Sequence, residues 1–142
     1  MALSFNLPIE LLALIDAGVW PNKENQLRQN LTPISPAEAI RRIASDEDNL
    51  YLNPPPFHAV AVYAEGNSFW ADHAAPDQLD FNNALVLGDF GLGSDAPIVL
   101  DYSENFDNPS IKRLQWHSEG NRWILACKTF AEFAAMLELT LP

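Results

Sequence analysis

Cysteine and basic residues are scarce in this sequence. The chain of 142 residues has one cysteine, Cys127, which excludes an internal disulfide and is typical of a reducing compartment. No basic residue precedes Lys23, and Glu10 and Asp16 interrupt the first apolar stretch, so the amino terminus does not resemble a signal peptide. No run approaches the roughly 18 apolar residues of a membrane span. We therefore expect a cytoplasmic protein with no membrane partner.

The balance of charge is strongly acidic, with 19 aspartates and glutamates against 8 lysines and arginines and a formal net charge of −11. Phosphate groups bind where Lys and Arg neutralise them, so we expect no nucleic acid as a partner. A cationic protein would be attracted, and its association accelerated. Excess acidity also serves solubility alone, which is the more common explanation across proteins.

Length and composition indicate one globular domain over residues 1–142. Hydrophobic residues make up 48% of the chain and aromatic residues 11%, which is enough for a buried core. The sequence has no internal repeat and no low-complexity segment, so a solenoid or a disordered chain is not expected.

Helices are predicted near the start of the chain. Apolar residues recur at helical spacing from Leu7 to Ile15, and Gly18 follows as a typical residue beyond a helix end. Ser35-Pro-Ala-Glu38 has the pattern of a capping box that opens a second, short helix.

The second half of the chain is predicted to form a sheet followed by a helix. Strands are expected at 50–52, 85–87, 98–100, 111–116 and 122–126, with a further extended segment at 57–63. Thr129-Phe-Ala-Glu132 is a second capping box, which opens the closing helix. This order without βαβ alternation predicts an α+β single domain, with a mainly antiparallel sheet packed with N-terminal helices and a C-terminal helix.

The most distinctive stretch, LVLGDFGLGSDAPIVLDY, runs from Leu85 to Tyr102 and is rich in glycine. It has no lysine or arginine to meet a phosphate, and its glycine spacing is not that of a nucleotide-binding loop. Its aspartates lie six residues apart and do not alternate as calcium ligands do, although an adventitious cation is an alternative. We expect a structural turn in which Asp89 and Asp101 accept hydrogen bonds from backbone amides.

Candidate catalytic groups are few and scattered. Cys127 and the three histidines, His58, His73 and His117, do not have the spacing of a thiol dyad or a zinc site. Cys127 follows an apolar strand, where we expect it to pack as a small hydrophobic side chain. We therefore expect no enzymatic activity, no catalytic, cofactor-binding or metal-binding residues, and no cofactor.

Three segments of the second half resemble the SUKH superfamily, which includes Smi/Knr-type cell-wall assembly regulators and bacterial immunity proteins. They are LVLGDFGLGSDAPIVLDY at 85–102, PSIKRLQW at 109–116 and NRWILACKTFAEFAAMLEL at 121–139; LYLNPPPFH and LPIELLALIDAG resemble its first half more loosely. The residues that match its Gly-Asp turn, following strand and closing helix are Gly88, Asp89, Gly91, Gly93, Asp95, Asp101, Thr129, Phe130 and Phe133. Ser94 departs from the pattern, because many members have Gly-Asp directly.

The resemblance implies an α+β fold with no established catalytic residues. The function we expect from it is that of a non-enzymatic immunity protein, which binds and neutralises a cognate bacterial toxin. The acidic charge fits a basic, nuclease-like toxin. The alternative is a regulatory or scaffold module without a toxin partner. The predicted partner-binding residues are acidic or aromatic: Asp46, Glu47, Asp48, Trp70, Asp72, Asp77, Asp80, Glu104, Asp107 and Trp116.

Overall fold

Six strands form one antiparallel sheet in the part of the chain that the structure describes. This structure is a computed structural model and describes residues 5–22, 29–30, 35–91 and 96–141. The strands are β1 (Gln29–Asn30), β2 (Tyr51–Leu52), β3 (Ala84–Asp89), β4 (Pro97–Asp101), β5 (Ser110–Gln115) and β6 (Arg122–Cys127). They lie in the sheet in chain order, and each pairs antiparallel with the next.

Helices cover both faces of this sheet. In the described residues they are α1 (Ile9–Asp16), α2 (Ala37–Ile43), α3 (Val60–Ala64), α4 (Ser68–Asp72) and α5 (Phe130–Met136), with a 3-10 turn at Phe81–Asn83. The chain leaves α1 through Gly18, whose φ of 77° lies in the left-handed region that glycine adopts without strain. The predicted α+β class, antiparallel sheet and closing helix are confirmed.

Alternating side chains of the central strands point into two hydrophobic cores, one on each face of the sheet. The first core packs Leu87 of β3 and Ile98 of β4 against α1, α2 and α5. The second packs Val86 and Val99 of the same strands against α3 and α4. Because both faces are covered, every residue of β3 and β4 is buried, in agreement with the apolar triplets at 85–87 and 98–100.

The two predicted capping boxes have different outcomes. The hydroxyl of Thr129 accepts a hydrogen bond from the Glu132 backbone N–H at 3.1 Å, which confirms the cap of α5. The Ser35 side chain does not cap α2, and this prediction is wrong. Ser35 is fully buried, and its hydroxyl donates instead to the carbonyl oxygen of Leu137, which ties the start of α2 to the end of α5.

The prediction of an extended segment at 57–63 is also wrong beyond its first residues. Ala59 still bridges Leu85, and the backbone N–H of Val86 donates to the His58 carbonyl at 3.0 Å. The chain then turns into α3 at Val60, whose side chain is fully buried in the second core. Burial in this core therefore outweighs the β propensity of the local sequence.

Gly88 is needed where two strands meet. A Cβ atom added to this residue would overlap the carbonyl oxygen of Tyr51, which precedes Leu52, the β2 residue that pairs with Gly88. The register also shifts between Val86 and Gly88, so a bulge lies at this point of β3. Glycine is required here by close approach of two backbones.

The aspartates at the ends of β3 and β4 bond to backbone amides, as predicted. Buried Asp89 accepts hydrogen bonds from the N–H groups of Gly91 and Ala96, at 2.8 and 3.1 Å. Asp101 accepts from the Ser103 N–H at 3.0 Å and pairs with the Lys112 ammonium at 2.7 Å. Two further residues of the predicted motif, Gly93 and Asp95, lie outside the described residues.

Candidate acidic cleft

An open cleft of about 420 Å³ lies between the loop after α4 and the β5–β6 hairpin. Its lining comes from residues 72–78 and 116–121. Three predicted partner-binding residues, Asp72, Asp77 and Trp116, meet there, and all three are exposed. We call this concavity the acidic cleft.

Short-range hydrogen bonds shape the two segments that line the cleft. Asn67 caps α4 by accepting from the Phe69 backbone N–H, and the loop beyond α4 passes through Ala75 with a φ of 45°. In the hairpin, the Gly120 N–H donates to the His117 carbonyl at 3.1 Å. The Asn121 side chain accepts from the His117 N–H, also at 3.1 Å. Each segment is therefore ordered by its own sequence.

Three longer-range hydrogen bonds join the loop to the hairpin. The Asn121 amide donates to the His73 carbonyl at 2.8 Å. The indole N–H of Trp123 donates to the Ala74 carbonyl at 2.6 Å, and its backbone N–H donates to the Gln78 side-chain oxygen at 3.0 Å. Because Trp123 is buried in the second core, the cleft is fixed to the rigid centre of the protein.

Trp116 gives the cleft an aromatic surface. Its side chain is 51% exposed, although it stacks on the Phe69 ring with centroids 5.7 Å apart and planes at 28°. Phe69 also contacts the His73 ring, at 5.8 Å. The prediction that Trp116 lies at the surface is confirmed, and the Phe69 contact restrains the indole on the cleft wall.

The charge of the cleft is negative. Asp72 and Asp77 are its acidic residues, and no lysine or arginine lines it in the part of the chain that the structure describes. Neither carboxylate forms an ion pair within the described residues. A cation that enters the cleft therefore meets two carboxylates and an indole, beside the imidazoles of His73 and His117.

The other predicted acidic residues are used differently and do not line the cleft. Asp46 pairs with buried Arg113 at 2.8 Å, and Asp48 pairs with Arg41 at 2.5 Å. Asp80 caps the 3-10 turn by accepting from the Asn82 N–H. Of the remainder, Glu47 is partly buried, and Glu104 and Asp107 are exposed beyond β4.

Trp70 is not a surface residue, so its prediction as a partner-binding residue is wrong. It is 0% exposed and packs in the second core between Tyr63 and Phe81, with ring centroids 6.1 and 6.0 Å away. α4 turns this side chain inward because the second face of the sheet needs a large apolar cover. Trp70 therefore belongs to the core that supports the cleft.

The single thiol lies away from the cleft. Cys127 is 1% exposed in the first core, with its sulfur 3.6 Å from the Met136 sulfur, which confirms its predicted packing role. Burial, followed by the negative charge of Glu132, raises the pKa of this thiol to about 12. A thiol with so high a pKa is a poor nucleophile at neutral pH.

Neither metal ligation nor a membrane span is indicated in the described part of the chain. No group of three or more His, Cys, Asp and Glu side chains is placed there to hold a metal ion. The helices described are also too short or too polar to cross a bilayer.

A second concavity, an apolar groove of about 450 Å³, lies between α1 and α5. Ile9 and Leu141 line it with 76% and 56% of their surface exposed, and Glu10 is the one acidic or basic residue among its described lining residues. It offers few polar groups to orient a ligand. The acidic cleft, which combines an aromatic surface with fixed charge, is the better candidate site.

Several cleft residues were not predicted from the sequence, namely Phe69, His73, Gln78, His117 and Asn121 as parts of one site. Contacts between distant segments bring these residues together, such as the bond from the Asn121 side chain to the His73 backbone carbonyl, 48 positions apart. The one local signal in the sequence is the Ser-Glu-Gly-Asn turn at 118–121, which predicts a hairpin between the strands at 111–116 and 122–126.

Comparison of the chain with protein-family models, with curated proteins and with solved structures found no match.

Proposed function

We propose that this chain is a non-enzymatic protein-binding domain, and that the acidic cleft binds a cationic partner protein. The observation that carries the proposal is that Asp72, Asp77 and Trp116 line one cleft, with no lysine or arginine among its described lining residues. Carboxylates select positive charge, and exposed aromatic residues are the side chains that most often dominate the energy of a protein interface.

The charge of the whole chain supports the same partner class. With a formal net charge of −11, the protein attracts a cationic surface from a distance and accelerates encounter. Four of the arginines and lysines, Arg41, Arg42, Lys112 and Arg113, are themselves neutralised by carboxylates. They therefore oppose the approach of a cationic protein only weakly.

Within this class, the partner we propose is a basic, nuclease-like bacterial toxin, which the domain would neutralise as an immunity protein. Support for this step comes from the sequence resemblance to the SUKH superfamily and from charge. A toxin that cleaves nucleic acid needs a cationic cleft for its substrate, and an acidic protein that binds there blocks substrate entry.

A direct test is coexpression of the chain with the protein encoded by the neighbouring gene. We expect the neighbour alone to stop growth of the host and coexpression to restore it, with the two proteins copurifying as a complex. A Trp116→Ala variant should restore growth less well, because truncation of an interface tryptophan commonly costs about 2 kcal/mol or more.

Two results would count against the proposal. Absence of both a complex and growth rescue would remove the immunity function. A complex that forms without any toxicity of the neighbour would favour a regulatory or scaffold module instead. Trp116→Ala removes the stacking on Phe69, so we expect its melting temperature to fall by about 3–5 °C, and growth rescue is compared at a temperature where the variant remains folded.

A further inference from the structure

We propose that the acidic cleft is a binding site for one arginine side chain of the partner. In this arrangement the guanidinium group stacks on the Trp116 indole and pairs with the carboxylate of Asp72 or Asp77. This inference deepens the proposed function and rests on it. It names the chemical group that the cleft recognises, and it can be tested without the partner protein.

The first argument is the position of the indole. Trp116 is half exposed, yet the Phe69 ring stacked at 5.7 Å restrains its orientation. A restrained aromatic side chain loses little conformational entropy when a ligand stacks on it. Tryptophan is also the aromatic residue that attracts a cation most strongly, and the attraction is larger where water is displaced.

The second argument is the choice of cation. A guanidinium group is planar, stacks on aromatic faces and pairs with carboxylates through several N–H donors at once. A lysine ammonium is compact and strongly hydrated, so it gains less from a flat indole. A cleft that offers an indole together with two carboxylates, Asp72 and Asp77, therefore favours arginine over lysine.

The third argument is that the cleft is already assembled before a ligand arrives. Asn121, Gln78 and Trp123 join the loop and the hairpin by hydrogen bonds of 2.6 to 3.0 Å. The volume of about 420 Å³ accommodates an arginine side chain with its bound water. Binding then requires no rearrangement of the backbone, which leaves more of the interaction energy for affinity.

The test uses the whole chain and three short blocked peptides of sequence Gly-X-Gly, in which X is arginine, lysine or citrulline. Citrulline has nearly the shape of arginine but no charge. Binding is followed by NMR through the indole N–H resonance of Trp116, which is assigned by its loss in a Trp116→Phe variant. The resonances of buried Trp20, Trp70 and Trp123 serve as internal controls of folding.

The arginine peptide should shift the Trp116 resonance and saturate, with a dissociation constant on the order of 1–10 mM for one stacked ion pair. The lysine peptide should bind about 3-fold or more weakly, and the citrulline peptide should cause little shift. A double variant, Asp72→Asn with Asp77→Asn, should weaken arginine binding about 5-fold. The matched double variant Asp16→Asn with Glu65→Gln, at exposed acids outside the cleft, should leave it unchanged.

Equal shifts from the citrulline and arginine peptides would overturn the inference, as would equal binding of the lysine and arginine peptides. Absence of any shift at an arginine-peptide concentration of about 50 mM would also overturn it. These failures are separate from failure of the proposed function. If a partner protein still bound through Trp116 in that case, the domain would bind proteins without recognising an arginine side chain.

Discussion

The side-chain amide of Asn121 donates a hydrogen bond to the carbonyl oxygen of His73, with 2.8 Å between nitrogen and oxygen. This contact joins the β5–β6 hairpin to the loop after α4 and holds the two sides of the acidic cleft together. Trp123 completes the junction through its bond to the Ala74 carbonyl. The candidate site therefore depends on packing between segments that are far apart in sequence.

Replacement of Asn121 by alanine should loosen the cleft. The variant loses one hydrogen bond to the loop and one to the hairpin, and we expect a loss of about 1–2 kcal/mol in the free energy of unfolding by urea. Ser118→Ala, in the same hairpin, is the matched control and should cost less than about 0.5 kcal/mol. Equal effects of the two substitutions would contradict the role given to Asn121.

Replacement of Gly88 by alanine should destabilise the sheet strongly. The added Cβ would overlap the Tyr51 carbonyl oxygen, which is backbone and cannot move without breaking the β2–β3 pair. We expect a loss of about 3 kcal/mol or more, or failure to fold.

Gly18→Ala is the comparison for this prediction. Gly18 has a positive φ but nothing lies within 4 Å of an added Cβ, so its cost should be limited to about 1–2 kcal/mol of backbone strain. Thermal or urea unfolding of both variants measures the difference, and a Gly88→Ala protein as stable as Gly18→Ala would refute the steric argument.

Asp101 should make stability depend on pH in the acid range. Burial raises the pKa of this carboxyl. The hydrogen bonds from Lys112 and from the backbone and side chain of Ser103 lower it by more than burial raises it, so the pKa lies below its ordinary value. A carboxyl with a lowered pKa in the folded state stabilises the protein above the pKa it has when unfolded. That contribution is lost as the pH falls through the folded-state pKa.

The corresponding variant is Asp101→Asn, which should lose about 1–3 kcal/mol at pH 7 because Lys112 and Ser103 lose their charged partner. Its difference from wild type should shrink below about pH 4 as the wild-type carboxyl protonates. Urea unfolding at pH 7, 5 and 3 provides the measurement. A difference that stays constant over this range would contradict the assignment.

Cys127 should resist thiol reagents in the folded protein. Burial, together with the charge of Glu132, raises its pKa to about 12, so the thiol is neutral and covered at pH 8. We expect labelling by a disulfide-exchange reagent to be at least about 100-fold slower than in urea-unfolded protein. Rapid labelling without denaturant would show that the first core opens near α5.

The central strands were predictable because burial on both faces of a strand requires consecutive apolar residues, a pattern that is visible in the sequence. β3 and β4 have apolar residues at consecutive positions, which only a sheet covered on both sides requires. Thr129 and Glu132 predicted the start of α5 equally well, since a helix cap depends on residues only three positions apart. Such features need no knowledge of distant contacts.

The helices α3 and α4 were less predictable because their structure depends on contacts with residues that are distant in the sequence. Each has five residues, too few for an apolar periodicity, and tertiary packing of Val60 and Trp70 decides their structure. The same holds for Ser35, whose capping pattern is overridden by a buried bond to the end of α5. Predictions from local patterns were therefore wrong where a contact with a distant residue replaces the local interaction.

Three residues of the acidic cleft were predicted from the sequence, but their assembly was not. Acidic or aromatic character suggested Asp72, Asp77 and Trp116 individually, together with acidic residues that belong to other surfaces. Which of them meet is decided by the packing of Trp123 and by the Asn121–His73 bond, neither of which has a local signature. The sequence therefore predicted that the binding residues are acidic and aromatic, and the fold shows which of them lie together in the cleft.

Calorimetric titration with the protein encoded by the neighbouring gene tests the central claim most directly, because it measures whether binding depends on the cleft charges. We predict that Asp72→Asn with Asp77→Asn weakens binding about 10-fold or more at 0.15 M salt, while Asp16→Asn with Glu65→Gln, which changes the net charge equally, weakens it less than about 3-fold. Equal weakening by the two double variants, or no binding by the wild-type chain, would contradict the claim that the acidic cleft binds a cationic partner.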